Sequence, residues 1–185
     1  MKSPRLFHIS EEPGIPSFKP RPSPSFFSAI QGDTVFAITE KLLHNYLLPR
    51  DCPRVTFYAN AKTTAADVHT FMGHSSAAFV VAVEAGWYPL IARTRLYCYE
   101  FPTGSFSVLD EIAGYYISYE EVAPVSVREI ADIPAELFKR NIELRIMPTL
   151  WILSDAIARS SLSYSIIRMR NAIPRQTEPG QTKTG

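Results

Sequence analysis

Short runs of alternating hydrophobic and polar residues occur through the first two thirds of the chain. In Leu6–Ser10, the period of two places Phe7 and Ile9 on one face of a strand and His8 with Ser10 on the other. Further strands are predicted at residues 34–39, 55–58, 77–84, 95–101, 115–118 and 125–130. The first of these (TVFAIT) is hydrophobic on both faces, which predicts a buried strand.

Helical spacing of apolar residues is concentrated in the last third. Asp132 can cap a helix that begins at Pro134, because proline is well tolerated in a first turn. A second helix would pair Asp155 with Arg159 one turn apart. The second and third helices of this region are predicted at residues 149–161 and 162–171. Earlier in the chain, the pattern predicts a helix at residues 40–48 capped by Thr39, a weaker one at 64–72 and a turn at 86–90.

This order, strands first and helices last, predicts an α+β fold with a mixed or antiparallel β core. The 185 residues suit one globular domain, which we place at residues 1–175. Prolines between positions 13 and 24 exclude helix interiors and central strands, so this stretch is predicted to be a loop. The polar segment 176–185 is predicted to be disordered.

The composition of the chain limits where the protein is expected in the cell and which kinds of molecule it is expected to bind. The formal net charge of +1 creates no global field toward nucleic acid or membrane, so binding of phosphate or nucleic acid needs a local basic patch. No apolar run approaches the roughly 20 residues of a transmembrane helix, and no signal-peptide pattern opens the chain. Cys52 and Cys98 are too few for a disulfide-stapled secreted fold, so we expect two free thiols in a reducing cytoplasm. No metal-ligand spacing occurs, and no metal cofactor is expected.

Two groups of polar side chains could carry chemistry. His8 and Ser10 project side by side from one strand face, where an imidazole and a hydroxyl can bind a ribose or a carbonyl, although a histidine packed against its own loop fits the pattern as well. Arg21, Arg50 and Arg54 each neighbour a proline, so rigid loops would present them to phosphate or carboxylate; the alternative is local pairing, for instance with Asp51.

Other charged residues have a plainer interpretation. Arg168 and Arg170 are expected on the solvated face of the last helix. Glu84 and Glu100 each end a mostly apolar strand, and a carboxylate there is either paired, for instance with Arg93 or Arg95, or placed at a cleft.

Several strings resemble an uncharacterised bacterial domain family. They are LFHISEEPGI, FKPRPSPS, NYLLPRDCPRVTFY, LYCYEFP, AGYYIS and IRMRNAIPR. This resemblance covers nearly all of residues 6–175 and brings no known activity.

The order of LFHIS, TVFAIT, LYCYEFPTGSF and SYEEVAPVSVREIADI also resembles, remotely, the small rifamycin ADP-ribosyltransferases. That resemblance implies an ADP-ribosyltransferase-like fold and NAD as substrate. His8 matches the histidine that holds the nicotinamide ribose, and Ser10 matches the hydroxyl residue two places later. Phe36 falls where that family has a nicotinamide-stacking tyrosine, and Asp110 falls near the catalytic acid that stabilises the ribosyl cation.

Three functional hypotheses follow. In the first, an NAD-using ADP-ribosyltransferase uses His8, Ser10, Phe36 and Asp110 as above, and Arg21 or Arg50 holds the pyrophosphate; this requires His8, Phe36 and Asp110 to line one pocket. In the second, the chain is a phosphate enzyme like the RNA 2′-phosphotransferases, which also rely on His and Arg, although the near-neutral charge does not favour a large RNA. In the third, it is a non-catalytic ligand-binding or interaction module of the same fold. The expected partner is a small molecule or nucleotide.

Overall fold

Two β-sheets organise the computed structural model, which describes residues 4–23 and 30–175. The predicted disordered tail lies outside the described residues. The strands are β1 (Leu6–Ser10), β2 (Val35–Thr39), β3 (Arg54–Tyr58), β4 (Phe79–Glu84), β5 (Leu96–Phe101), β6 (Ser107–Asp110), β7 (Tyr115–Ser118), β8 (Ser126–Ile130), β9 (Ile142–Met147) and β10 (Ser163–Ile167).

The larger sheet has the strand order β6-β7-β2-β1-β5-β8 and is antiparallel throughout. The smaller sheet has the order β10-β3-β4-β9, in which β4 and β9 run parallel. The mixed α+β architecture predicted from the sequence is therefore confirmed.

Short helices connect the strands. Thr64 caps α1 (Ala65–Asp67) by accepting a hydrogen bond from the Asp67 N–H. Asp132 caps α3 (Ile133–Lys139) by accepting one from the Ala135 N–H, as predicted for Asp132. The helices are a 3₁₀-helix (Glu40–Tyr46), α1 (Ala65–Asp67) continued by a π-helical turn (Val68–Met72), a 3₁₀ turn (Ala85–Trp87) leading into α2 (Tyr88–Arg93), α3 (Ile133–Lys139), α4 (Trp151–Ala158) and a last 3₁₀ turn (Met169–Asn171).

The main hydrophobic core lies between the two sheets. It joins Phe7 and Ile38 of the larger sheet to Val81 and Val83 of the smaller one, and all four side chains are buried. A second cluster packs α4 against the other face of the smaller sheet, around Phe57. Apolar burial is the main favourable term in folding, so side chains that face one of these cores are used for packing. The three-layer arrangement therefore determines which face of each strand is available to a ligand.

A third cluster covers the outer face of the larger sheet. The proline-rich segment crosses this face, where Phe18 is buried against Tyr99 and Phe101 and its backbone pairs with Val122. The segment therefore lies over the face of β1 that carries His8.

The last third departs from prediction. The helix predicted at residues 162–171 is wrong, because this stretch forms β10 and a short 3₁₀ turn. Its tyrosine and isoleucines are good strand formers, and β3 offers a free edge on which all five residues of β10 pair. Asp155 forms its direct ion pair with Arg175, at 2.7 Å, while Arg159, one turn away as predicted, acts on Asp155 only through its charge, which helps to lower the pKa of the carboxyl.

Three further differences concern short elements. The predicted turn at residues 86–90 is helical, because Pro89 occupies the first turn of α2, where its missing N–H costs nothing. Strands β6 and β9 were not predicted, although Ile142, Leu144 and Ile146 alternate with polar residues. The helices are also spread along the chain rather than concentrated in its last third, since α1 and α2 both precede β5.

Candidate functional site

The ladder between β1 and β2 stops just before His8. These strands pair only at Leu6–Thr39 and Phe7–Ile38, and the next position is taken by the His8 imidazole, whose Nδ1 lies 3.1 Å from the Phe36 carbonyl oxygen. Because a carbonyl can only accept, Nδ1 carries the proton and the lone pair of a neutral ring is on Nε2. Nε2 makes no hydrogen bond with any described residue, so it can accept one from a ligand hydroxyl.

His8 sits in an apolar setting. Its ring packs against Phe18 at 4.8 Å and Phe101 at 6.2 Å between ring centroids. Burial lowers the pKa of His8 to about 4, against the opposing effect of the hydrogen bond to Phe36, and the positive charges of Arg21 and Arg50 lower it further. The imidazole is therefore neutral at pH 7, with Nδ1 donating to Phe36 and Nε2 able to accept a hydrogen bond.

Two arginines border this histidine. The backbone of Arg21 pairs with Thr34 at the entrance to β2, and the Arg50 N–H donates to Glu11 Oε1 at 2.7 Å, next to the end of β1. Both side chains are exposed, and neither guanidinium makes a hydrogen bond or ion pair with a described residue. A guanidinium group that no described residue pairs with is available to an anion, and its planar fork matches carboxylate and phosphate.

A buried hydroxyl accompanies Arg21. Thr34 is 1% exposed, and its Oγ1 has no hydrogen-bond partner among the described residues. Such a group is costly to leave unsatisfied, and this makes it a further candidate contact for a ligand or a water at the same end of β2.

The C-terminal segment holds the loop that carries Arg50. Arg168 Nε donates to the Arg50 carbonyl at 3.4 Å, and Asn171 Nδ2 donates to the Asp51 carbonyl at 2.7 Å. Arg168 adopts a left-handed backbone conformation with a φ of 58°. Sequence reasoning expected Arg168 on a solvated helix face; only the tertiary fold reveals this positioning role.

The remaining residues predicted from the rifamycin-transferase resemblance do not all meet at His8. Ser10 is close by, but its hydroxyl accepts a hydrogen bond from the Glu12 N–H at 3.0 Å. Phe36 alternates with Ala37 along β2, so its side chain lies on the inner face of the sheet. Asp110 pairs with Tyr115, which pairs with Ile38 of the main core, so Asp110 is also on the inner face. Arg21 and Arg50 are near enough to His8 for their charges to act on it, whereas the side chains of Phe36 and Asp110 lie on the opposite face of the sheet from His8.

The other candidate residues make hydrogen bonds or ion pairs within the folded chain. Arg54 is 3% exposed and donates to the carbonyls of Asn45 and Cys52 at 3.1 and 2.8 Å. Glu84 is buried and accepts from the Ile173 N–H, and Glu100 pairs with Arg5. The pairings considered for these two carboxylates, with Arg93 or Arg95, are therefore wrong; Arg95 pairs with Glu129.

Cys52 and Cys98 are both buried free thiols, and burial raises the pKa of Cys52 to about 12 and that of Cys98 to about 11. Among the described residues, no three His, Cys, Asp or Glu side chains are grouped as a metal site would require. None of the helices in the described part of the chain is long and apolar enough to cross a membrane.

Comparison with known proteins places the chain in one family. Residues 7–172 match the model of the "Family of unknown function (DUF6886)", and the chain belongs to that family. No curated protein and no solved structure matches it significantly.

Proposed function

We propose that this domain binds a nucleotide such as NAD at His8, Arg21 and Arg50, and acts on it as an ADP-ribosyltransferase-like enzyme with the corresponding fold. The side chains of Phe36 and Asp110 lie on the opposite face of the sheet from His8, so the proposal no longer includes the pocket of His8, Phe36 and Asp110 that the rifamycin-transferase resemblance implies. The observation that carries the proposal is that the charges of Arg21 and Arg50 both act on a neutral His8, while neither of the two guanidinium groups nor His8 Nε2 is paired with another of the described residues. The guanidiniums suit the pyrophosphate, and Nε2 suits a ribose hydroxyl.

The transfer step demands a carboxylate as well. When the bond between nicotinamide and ribose breaks, nicotinamide leaves as a neutral molecule with the bonding electron pair, and positive charge develops on the ribose. A nucleophilic oxygen or nitrogen of the acceptor, or water where no acceptor is present, then forms the new bond to this carbon and loses its proton to the solvent. Asp110 lies on the other face of the sheet from His8, which leaves Glu11 as the better candidate. Its carboxylate accepts the Arg50 N–H and directly follows Ser10. Within this proposal, Glu11 stabilises the ribosyl cation.

Isothermal titration with NAD and with ADP-ribose tests the binding. Wild type should bind in the micromolar range. His8→Ala and the double variant Arg21→Gln/Arg50→Gln should each weaken binding at least about tenfold, because each removes direct contacts to the ligand. Arg170→Gln, at an exposed arginine without such a role, is the matched control and should bind like wild type. Failure of wild type to bind, or full affinity in His8→Ala, would contradict the proposal.

Release of nicotinamide, followed by proton NMR, tests the chemistry separately. Glu11→Gln should bind NAD but release nicotinamide at least about 100-fold more slowly, and Asp110→Asn should behave like wild type. Slow release in Asp110→Asn with a normal rate in Glu11→Gln would return the catalytic role to Asp110. Binding without release by wild type would support the non-catalytic ligand-binding module.

The same arginines favour a second candidate, a phosphate enzyme like the RNA 2′-phosphotransferases. This activity needs His and Arg at a phosphate and no carboxylate at a ribosyl cation. A short oligonucleotide ending in a 2′-phosphate discriminates the two. Preference for it over the same oligonucleotide with a free 2′-hydroxyl, lost in Arg21→Gln/Arg50→Gln, would favour the phosphate enzyme.

A further inference from the structure

A cavity of about 320 Å³ lies on the inner face of the larger sheet. It is bordered by the 3₁₀-helix Glu40–Tyr46, β3, β10 and the hairpin of β6 and β7, and it is open to solvent. Its polar and aromatic lining includes Asn45, Thr56, Tyr58, Asp110, Tyr115 and Tyr164. This volume is at the lower end of the range for small-molecule sites, roughly 300–1,000 Å³.

Asn45 supplies a fixed hydrogen-bond donor to the cavity. The residue is 6% exposed, and its Oδ1 accepts from Thr56 Oγ1 at 2.7 Å. Its own carbonyl is held by Arg54 Nε at 3.1 Å, so backbone and side chain are both anchored. No described residue accepts a hydrogen bond from Asn45 Nδ2. Among the described residues, Thr34 Oγ1 is the one fully buried side-chain polar atom without a partner, so Asn45 Nδ2 is in contact with solvent. A ligand that displaces this solvent from the cavity must accept the hydrogen bond of Nδ2 in its place.

Asp110 supplies the complementary acceptor. Its Oδ1 accepts from the Ala113 N–H at 2.9 Å, which fixes the carboxylate at the end of β6. Oδ2 has no partner among the described residues. Tyr58 and Tyr164 add aromatic surface, and Tyr164 is 47% exposed at the rim. The cavity thus combines the Asn45 amide donor and the Asp110 carboxylate acceptor with the hydroxyls and rings of its tyrosines.

We propose that this cavity binds a flat, uncharged heterocycle with an acceptor and a donor on one edge, as a nucleobase of a free nucleoside presents them. An anion would meet the Asp110 carboxylate and no lining cation, and a metal ion would find only one carboxylate. A purely apolar ligand would leave the Asn45 amide unsatisfied. Asparagine and carboxylate groups pair well with base edges, and tyrosine rings stack on base faces. The proposal is independent of the proposed function, because the cavity and His8 lie on opposite faces of the larger sheet.

Titration with adenosine, guanosine, cytidine and uridine, read by saturation-transfer NMR and calorimetry, tests this inference. At least one nucleoside should bind wild type with a submillimolar Kd. Asp110→Asn and Tyr164→Ala should weaken that binding at least tenfold, and Asn45→Asp, which replaces the donor by an acceptor, should abolish it. Glu111→Gln, at the neighbouring exposed carboxylate, is the matched control and should bind normally.

Two results would overturn the inference. One is a wild type that binds none of the four nucleosides at millimolar concentration. The other is unchanged affinity in both Asp110→Asn and Tyr164→Ala, which stand at the cavity rim and test it even if Asn45→Asp fails to fold. Arg21→Gln/Arg50→Gln should bind the nucleoside like wild type, so failure of the phosphate site and failure of the cavity are distinguishable.

Discussion

At the scale of single residues, Gly114 is a position where a side chain would be strained and would collide with its neighbours. Its φ is 68°, and an added Cβ would overlap Thr39 Oγ1 and lie 3.2 Å from Leu42 Cδ1. We therefore expect Gly114→Ala to lower the free energy of unfolding by about 2–3 kcal/mol, because left-handed strain and a clash add. Urea denaturation measures this change.

Gly104→Ala is the matched control, since nothing lies within 4 Å of its added Cβ. It should change the free energy of unfolding by less than about 0.5 kcal/mol. Equal stability of Gly114→Ala and Gly104→Ala would mean that the turn between β6 and β7 moves away from Thr39 at no cost.

Several residue assignments could be made from the sequence, and others could not. Alternation along β1 correctly separated Phe7 and Ile9 from His8. The proximity of Arg21 and Arg50 to His8 depends on a loop crossing the sheet and on a bond from Arg50 to Glu11, neither of which has a local signal. Asp110 was placed by motif order, which carries no information on which sheet face a side chain occupies.

At the scale of elements, the C-terminal segment supports the loop that carries Arg50. Asn171→Ala removes the hydrogen bond to the Asp51 carbonyl, worth about 1 kcal/mol. The Cys52 N–H, which bonds to the Pro49 carbonyl, should then exchange with deuterium several-fold faster. Arg170→Ala, at the preceding exposed residue, should leave this exchange rate unchanged. Equal Cys52 exchange in both variants would show that Asn171 does not hold the loop.

Helices and strands could be predicted correctly where the local sequence pattern favours the same structure as the packing of the folded chain. The Asp132 cap with a proline in the first turn identified α3, and buried β-branched residues identified β4. It failed for β10, where a stretch compatible with helical spacing pairs with β3 instead, since strand pairing depends on a distant partner. The sequence pattern also failed to identify β9. This strand pairs in parallel with β4, and a long stretch of chain separates the two strands, so no local signal indicates the pairing.

At the scale of the whole molecule, stability should fall as the pH is lowered from 7 to 5. Burial lowers the pKa of His8 and of His44 from 6.5 to about 4. Between these pH values the unfolded chain takes up protons that the native protein does not, so acid favours unfolding. Complete burial of His44 corresponds to a loss of roughly 2 kcal/mol over this range, and the half-buried His8 contributes less.

His44→Phe tests this prediction by keeping an aromatic ring on Phe79, whose centroid lies 4.3 Å from the imidazole, while removing the titrating group. The lost hydrogen bond to the Lys41 backbone lowers stability at every pH, so the informative quantity is the difference in unfolding free energy between pH 7 and pH 5. That difference should shrink by roughly 1–2 kcal/mol in His44→Phe and stay as in wild type in His74→Gln, an exchange at an exposed position. Carboxylates with lowered pKa values, such as Glu100 and Glu136, lose their stabilising contribution only at lower pH, so they do not mask the effect. An unchanged difference in His44→Phe would mean that the native protein protonates His44 without cost, and that the buried histidine is not what makes the fold sensitive to mild acid.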